Sequence, residues 1–177
     1  MRKLLLLLGV TACLALAAAA AFASDEPQRT IPCEEIIGST RFPYAGSADP
    51  RYRLRTVLGA VSVPPAYLEQ VFETRSRPWR YFSKHGLVAR ADGRPVTISV
   101  PPSWRTRAGI VWGNAGHRVF HTIRLAGCGS EPSRGNVYAG GFFLRRPSAC
   151  IPLVLRVGSL SRTVWFGLGE RCPVRSR

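Results

Sequence analysis

Cysteines, histidines and carboxylates are the residues through which this chain could do chemistry, and their spacing decides which chemistry is open. Past the N-terminal leader the cysteines are Cys33, Cys128, Cys150 and Cys172, separated by 95, 22 and 22 residues. A zinc site needs ligands clustered at short spacing, and a catalytic thiol needs a partner base. No histidine lies close to any of these cysteines in sequence. An even count in an exported chain implies disulfides, and four cysteines allow three connectivities. The expected pairs are Cys128–Cys150 and Cys33–Cys172, with Cys33–Cys128 and Cys150–Cys172 as the alternative. In the chain-entropy account a loop of about 22 residues is worth roughly 3 kcal/mol, and a loop of about 140 somewhat more.

His85, His117 and His121 are the only histidines. His117 and His121 fall on one face of an expected strand, about 13 Å apart at roughly 3.3 Å per residue, too far to share a metal ion. No metal and no cofactor is expected. Of the ten acidic residues, Glu34 and Glu35 follow Cys33 and would point to opposite sides of a strand. Glu69 and Glu73 are four apart, so on a helix they share a face. That spacing could meet the separation of about 5–9.5 Å that glycoside hydrolysis requires, although a solvated helix face is much the simpler explanation. Asp49, in Ala-Asp-Pro, fits turn chemistry. No Gly-x-Ser-x-Gly elbow, phosphate loop, calcium loop or complete dinucleotide fingerprint is present.

What remains is basic and aromatic. Arg51, Arg53 and Arg55 alternate with Tyr52 and Leu54, which on a strand makes an arginine stripe. Arg77, Trp79 and Arg80 form a second cluster with Arg75, Tyr81 and Phe82, and Trp104-Arg105 is a further pair. Guanidinium groups beside aromatic faces suit anions and glycans. The competing explanation is a solvated sheet face with its aromatic residues in the core.

The elements that must position these residues are short. Turn signals recur every 8 to 14 residues, among them Pro64-Pro65, Asp92-Gly93, Pro101-Pro102, Gly113-Asn114 and Gly158-Ser159. The runs between them alternate with period two, the pattern of an all-β chain. Ile151, Leu153, Leu155 and Val157 share one face, and so do Val164, Phe166 and Leu168. Further strands are expected at 96–100, 109–113 and 118–125, with a long one over 53–63 bulged at Gly59. In PPAYLEQVFET, Leu68, Val71 and Phe72 recur at helical spacing after two prolines, predicting one short helix. The expected fold is an antiparallel β-sandwich, Ig-like or jelly-roll, of about seven to nine strands with one short helix and two disulfides.

The first 23 residues read as a signal peptide: Arg2 and Lys3, an apolar run over 4–20, then Ala21-Phe22-Ala23. The alternatives are an uncleaved N-terminal helix anchoring the chain in a membrane, or cleavage before a lipidated Cys13. Residues 24–177 then form a single domain. Without Arg2 and Lys3, 23 basic residues face 10 acidic ones, a net charge of +13. Only Lys84 among those bases is a lysine, a bias that GC-rich coding explains more readily than selection for guanidinium. The charge still draws the protein towards polyanions. Export makes nucleic acid an improbable target, and anionic envelope polymers or membrane surfaces the better ones.

The segments 136–144, Ser148-Ala-Cys150-Ile-Pro-Leu, 162–172, 61–70 and Arg77-Pro-Trp-Arg-Tyr together resemble a set of small exported proteins of high-GC Gram-positive bacteria. The resemblance spans nearly all of residues 24–177. It implies an exported, disulfide-bonded domain and supplies no activity and no catalytic residues. The sequence reading is therefore a non-enzymatic, exported basic module at or outside the cell envelope. It would bind an anionic polymer or surface through Arg51, Arg53, Arg55, Arg77, Trp79 and Arg80. An envelope glycan hydrolase with a carboxylate pair, or a purely structural domain, is the alternative.

Overall fold

The computed structural model describes residues 28–75, 77–116 and 118–173. The signal peptide, Cys13 and His117 lie outside the described residues. Among those described, no helix is long and apolar enough to cross a membrane.

The described chain is all-β. The first strands are β1 (Gln28–Ile31), β2 (Gly38–Arg41), β3 (Arg55–Val57), β4 (Val61–Val63), β5 (Tyr67–Leu68) and β6 (Phe72–Glu73). Next come β7 (Tyr81–Lys84), β8 (Leu87–Arg90), β9 (Val96–Ser99), β10 (Ala108–Trp112) and β11 (Thr122–Leu125). The last four are β12 (Arg134–Tyr138), β13 (Gly140–Leu144), β14 (Ala149–Val157) and β15 (Leu160–Leu168). Three single 3-10 turns, at Cys33–Glu35, Pro50–Tyr52 and Pro102–Trp104, interrupt them. The sheets run β1-β11-β9-β14-β15-β5, β10-β13-β7-β6 and β2-β12-β8-β4-β3. Pairing is antiparallel except for β1 with β11 and β15 with β5.

One hydrophobic cluster draws on all three sheets. The period-two reading of the C-terminal hairpin holds: Ile151, Leu153, Leu155 and Val157 are buried, as are Val164, Phe166 and Leu168. Trp112 of β10 meets Phe142 of β13 edge-on at 5.5 Å, and Phe142 meets Phe166 of β15 at 5.1 Å. Rings thus bridge the four- and six-stranded sheets.

Two of the sheets share a bent ladder. The pairs Tyr81↔Leu144 through Lys84↔Gly141 and Leu87↔Tyr138 through Arg90↔Gly135 keep one register. β7–β8 and β12–β13 are therefore two long strands, each broken once, at 85–86 and at Ala139. The break is pinned where His85 N donates to Gly140 O at 2.8 Å and Trp112 Nε1 donates to His85 O at 3.0 Å. Gly140 is required there, because a Cβ would lie 2.0 Å from Val111 O.

Several expectations change. Fifteen strand segments are described rather than seven to nine, partly because these long strands break. Residues 53–63 are not one bulged strand but the β3–β4 hairpin, Val57 opposite Val61. Leu58 (φ 52°) and Gly59 (φ 60°) turn it in the left-handed region, the combination a type I′ turn demands. The helix expected after Pro64-Pro65 is absent. That segment is extended because its backbone pairs with neighbours, β5 with the end of β15 and β6 with β7. Phe72, 56% exposed, forms no buried stripe with Leu68. Glu34 and Glu35 sit in a 3-10 turn rather than on a strand.

The disulfides follow the alternative pairing, Cys33–Cys128 and Cys150–Cys172, with Cα separations of 5.8 and 5.0 Å. The reason is topological. β1 runs parallel to β11, Ile31 opposite Leu125, so Cys33 and Cys128 leave the sheet at the same end. Cys150 lies opposite Gly167 across the final hairpin. The chain then reverses at Gly169 (φ 67°) and returns Cys172 against Gly167.

Candidate functional site

The register of the four-stranded sheet aligns Glu73, Tyr81, Leu144 and Ala108 in one row. The next residues along the ladder are Thr74, Arg80, Arg145 and Arg107. Two backbone bonds continue the pairing there: Thr74 N to Arg80 O at 2.6 Å and Arg145 N to Arg107 O at 3.2 Å. Three exposed arginines, each one residue past the end of its strand, therefore take neighbouring positions where the ladder of β10, β13 and β7 runs out, strands of a ladder lying about 4.8 Å apart. Like charges opposed in this way are destabilising unless something offsets them. Among the described residues the one carboxylate within 4 Å of the trio is Glu73, 3.2 Å from Arg80.

Aromatic rings hold the guanidinium groups instead. Arg145 lies 5.3 Å over Trp79, and Arg107 lies 4.1 Å over Trp104. Trp79 meets His121 edge-on at 6.2 Å, and Trp104 meets Trp165 at 6.3 Å. Arg107 also donates to Ser103 O, and His121 Nε2 lies 3.0 Å from Arg105 O. Burial is the main cause lowering the His121 pKa, so its ring is neutral at pH 7. The result is a row of three cations, two over indoles and Arg80 5.9 Å over Tyr81. It can take a flexible anion in several alignments, because no single acceptor geometry is imposed.

The structure splits the six residues expected from sequence. Trp79 and Arg80 belong to the platform, and Arg77 is exposed two residues away, beside a cis peptide to Pro78. Arg51, Arg53 and Arg55 do not form a stripe, because a 3-10 turn, not a strand, carries the first of them. Arg51 is bound to Asp49, whose carboxyl it holds below the usual range by hydrogen bonding. Arg53 is exposed and donates to Ala48 O. Arg55 is a strut: it donates to Pro64 O and Trp165 O, both at 3.2 Å, and lies 4.9 Å over Phe166. Burial lowers its pKa. Sequence reasoning missed Arg107 and Arg145. Both immediately flank an apolar run, but only the register makes them neighbours.

The sequence matches no protein-family model and no curated protein. The site therefore rests on its own geometry.

Two catalytic readings lose their footing. Glu69 and Glu73 have no helix to share; Glu73 sits on β6 against Arg80. Ser83 Oγ lies 3.0 Å from His85 Nε2, which could pass for a nucleophile and its base. Ser83 is fully buried, however, and its single hydroxyl proton goes to Gln70 O at 2.6 Å. The network then assigns His85 as the Nε2–H tautomer, donating to Ser83.

Burial pushes the His85 pKa down to about 4, against 6.5 when unfolded. Between those values the unfolded chain binds a proton that the folded chain refuses. Stability is therefore complete above pH 6.5 and falls as the pH drops to 4. At 1.36 kcal/mol per pKa unit, discounted for the partly exposed ring, the loss is about 2 kcal/mol. His121 acts in the same direction. Urea midpoints measured from pH 7.5 to 4 should show this decline, and His85→Gln should flatten most of it. A decline of equal size in that variant would assign the effect elsewhere.

Proposed function

We propose that this protein is an exported, non-enzymatic basic module that binds an anionic polymer or surface at or outside the cell envelope, with its three sheets arranged as the layers of a β-sandwich. The observation that carries the proposal is the row Arg80–Arg145–Arg107, with Arg145 over Trp79 and Arg107 over Trp104 and, among the described residues, one carboxylate within reach, Glu73 on Arg80. Two disulfides support an oxidising compartment, since such bonds persist outside the cytosol. The resemblance to small exported proteins of high-GC Gram-positive bacteria and the net charge of +13 without Arg2 and Lys3 point the same way.

The test is binding to long-chain polyphosphate and to phosphatidylglycerol vesicles across a salt series. Affinity should fall steeply with salt, by a factor of roughly 10 or more between 0.05 and 0.5 M, as counterions are released. The triple variant Arg80/Arg107/Arg145→Ala should bind roughly 30–100-fold more weakly and reduce the log–log salt slope by about 2–3. Arg51/Arg53→Ala should change binding less than about threefold, as expected of cations outside the row. Affinity that is indifferent to salt, or equal losses in both variants, would remove the row from the function.

A further inference from the structure

A cavity of about 250 Å³ opens where the β7–β8 break meets the β4–β5 connection, lined in part by Tyr52, Pro64, Tyr67, Glu69, Gln70 and His85. It lies at the far end of β7 from Arg80, roughly 15 Å away along an extended chain. It is therefore separate from the arginine row, and its occupancy does not depend on that row's ligand. Its size, just below that of sites for drug-sized molecules, suits a single ring.

The lining says which ring. Tyr52 and Tyr67 supply aromatic surface, but each already carries a guanidinium: Arg51 lies 5.6 Å from the Tyr52 centroid and Arg171 lies 4.5 Å from that of Tyr67. A cationic ligand would compete with these guanidinium groups for the same two rings, so an ammonium cage is disfavoured. An anionic ligand would meet Glu69, which has no described cation within 4 Å. His85 adds a second acceptor. Its Nε2–H is spent on Ser83, which leaves Nδ1 with a lone pair and no described partner, on a ring that lines the cavity. The depressed basicity of the ring keeps that lone pair free down to mildly acidic pH. Gln70 can both donate and accept. A neutral ligand rich in hydroxyl donors, with an apolar C–H face to lay on tyrosine, satisfies every one of these groups.

We propose that this cavity is a binding subsite for one neutral sugar ring, with Tyr67 as the stacking platform and Glu69 and His85 Nδ1 as hydroxyl acceptors. The probes are the methyl α-glycosides of glucose, galactose, mannose and N-acetylglucosamine, titrated into the labelled protein and followed by amide shifts in two-dimensional NMR. At least one should bind in the millimolar range, the ordinary strength of a contact this small, with shifts centred on Gln70, His85 and Gly86. Glu69→Gln should weaken it several-fold, since a charge-assisted hydrogen bond is lost. Tyr67→Ala should weaken it about tenfold, on the scale of one aromatic contact. Glu69 is exposed, so its variant keeps the fold, and the parent spectrum provides the check should Tyr67→Ala unfold. No shifts from any glycoside at about 100 mM, two decades above a millimolar Kd, would overturn the proposal. So would binding unaffected by Glu69→Gln, or tetramethylammonium producing the same shifts more tightly than any sugar.

Discussion

Replacing Cys33 and Cys128 together by alanine should lower the stability of this protein by about 4–5 kcal/mol, the larger of its two disulfide effects. The bond spans 95 residues. In the chain-entropy model a closed loop of that length restricts the unfolded ensemble by about 4.7 kcal/mol, against about 3.4 kcal/mol for the 22 residues spanned by Cys150–Cys172. The structure adds a native-state term in the same direction. Cys33 follows β1, an edge strand of four residues held by a single parallel neighbour, β11. Without the bond, one pairing and the contacts of Ile31 must keep that edge in place. Urea denaturation of both double variants gives the comparison, and in thermal melts the Cys33/Cys128 pair should cost roughly 10–20 °C for a chain of this size. A loss smaller than that of Cys150/Cys172→Ala would contradict the loop-length argument. Peptide mapping under non-reducing conditions checks the pairing itself, because a Cys128–Cys150 peptide is incompatible with the parallel placement of β1.

Gly140→Ala should cost about 3 kcal/mol or more, the scale of severe overpacking against atoms that cannot yield. The added methyl would stand 2.0 Å from Val111 O and 2.6 Å from Trp112 Cα. Both belong to β10, which pairs with β13 along all five of its residues. Relief therefore requires moving a strand rather than turning a side chain. The strand that would move carries Trp112, whose Nε1 bonds the carbonyl of His85 at the break in the bent ladder. The near-ultraviolet dichroism of tryptophan should change along with stability. Gly38→Ala is the control: a Cβ there meets nothing within 4 Å, and stability should stay within about 0.5 kcal/mol of the parent. If both variants behaved alike, the close approach at the break would carry no energetic weight.

What the sequence made legible was local. The hairpin of β14 and β15 announces itself because each strand is nine residues long and buries alternate side chains against one core. The disulfide-forming role of Cys33, Cys128, Cys150 and Cys172 followed from their number and spacing. β5 and β6 were illegible because two-residue edge strands exist only through partners elsewhere in the chain, and the helical spacing of Leu68, Val71 and Phe72 was accidental. The cysteine pairing and the arginine row failed for a shared reason. Both depend on which strands lie side by side and in what register, and Arg80, Arg107 and Arg145 carry no mark of their adjacency. Trp79 and Arg80 were visible only because the sequence also sets them next to each other. Arg55 misled in the opposite sense: it alternates like a surface residue and is half-buried.

The parallel pairing of β1 with β11 sets a timetable. A ribosome delivers Ile31 long before Leu125, so the opening strand waits for more than ninety residues with neither neighbour nor disulfide partner. Native contacts this distant in sequence make for slow folding. The four described cysteines tolerate the delay because they pair in order of arrival, Cys33 with Cys128 and Cys150 with Cys172. A chain oxidised as it appears reaches the native bonds without isomerisation. An oxidant acting only on the finished chain would have to select one pairing from three.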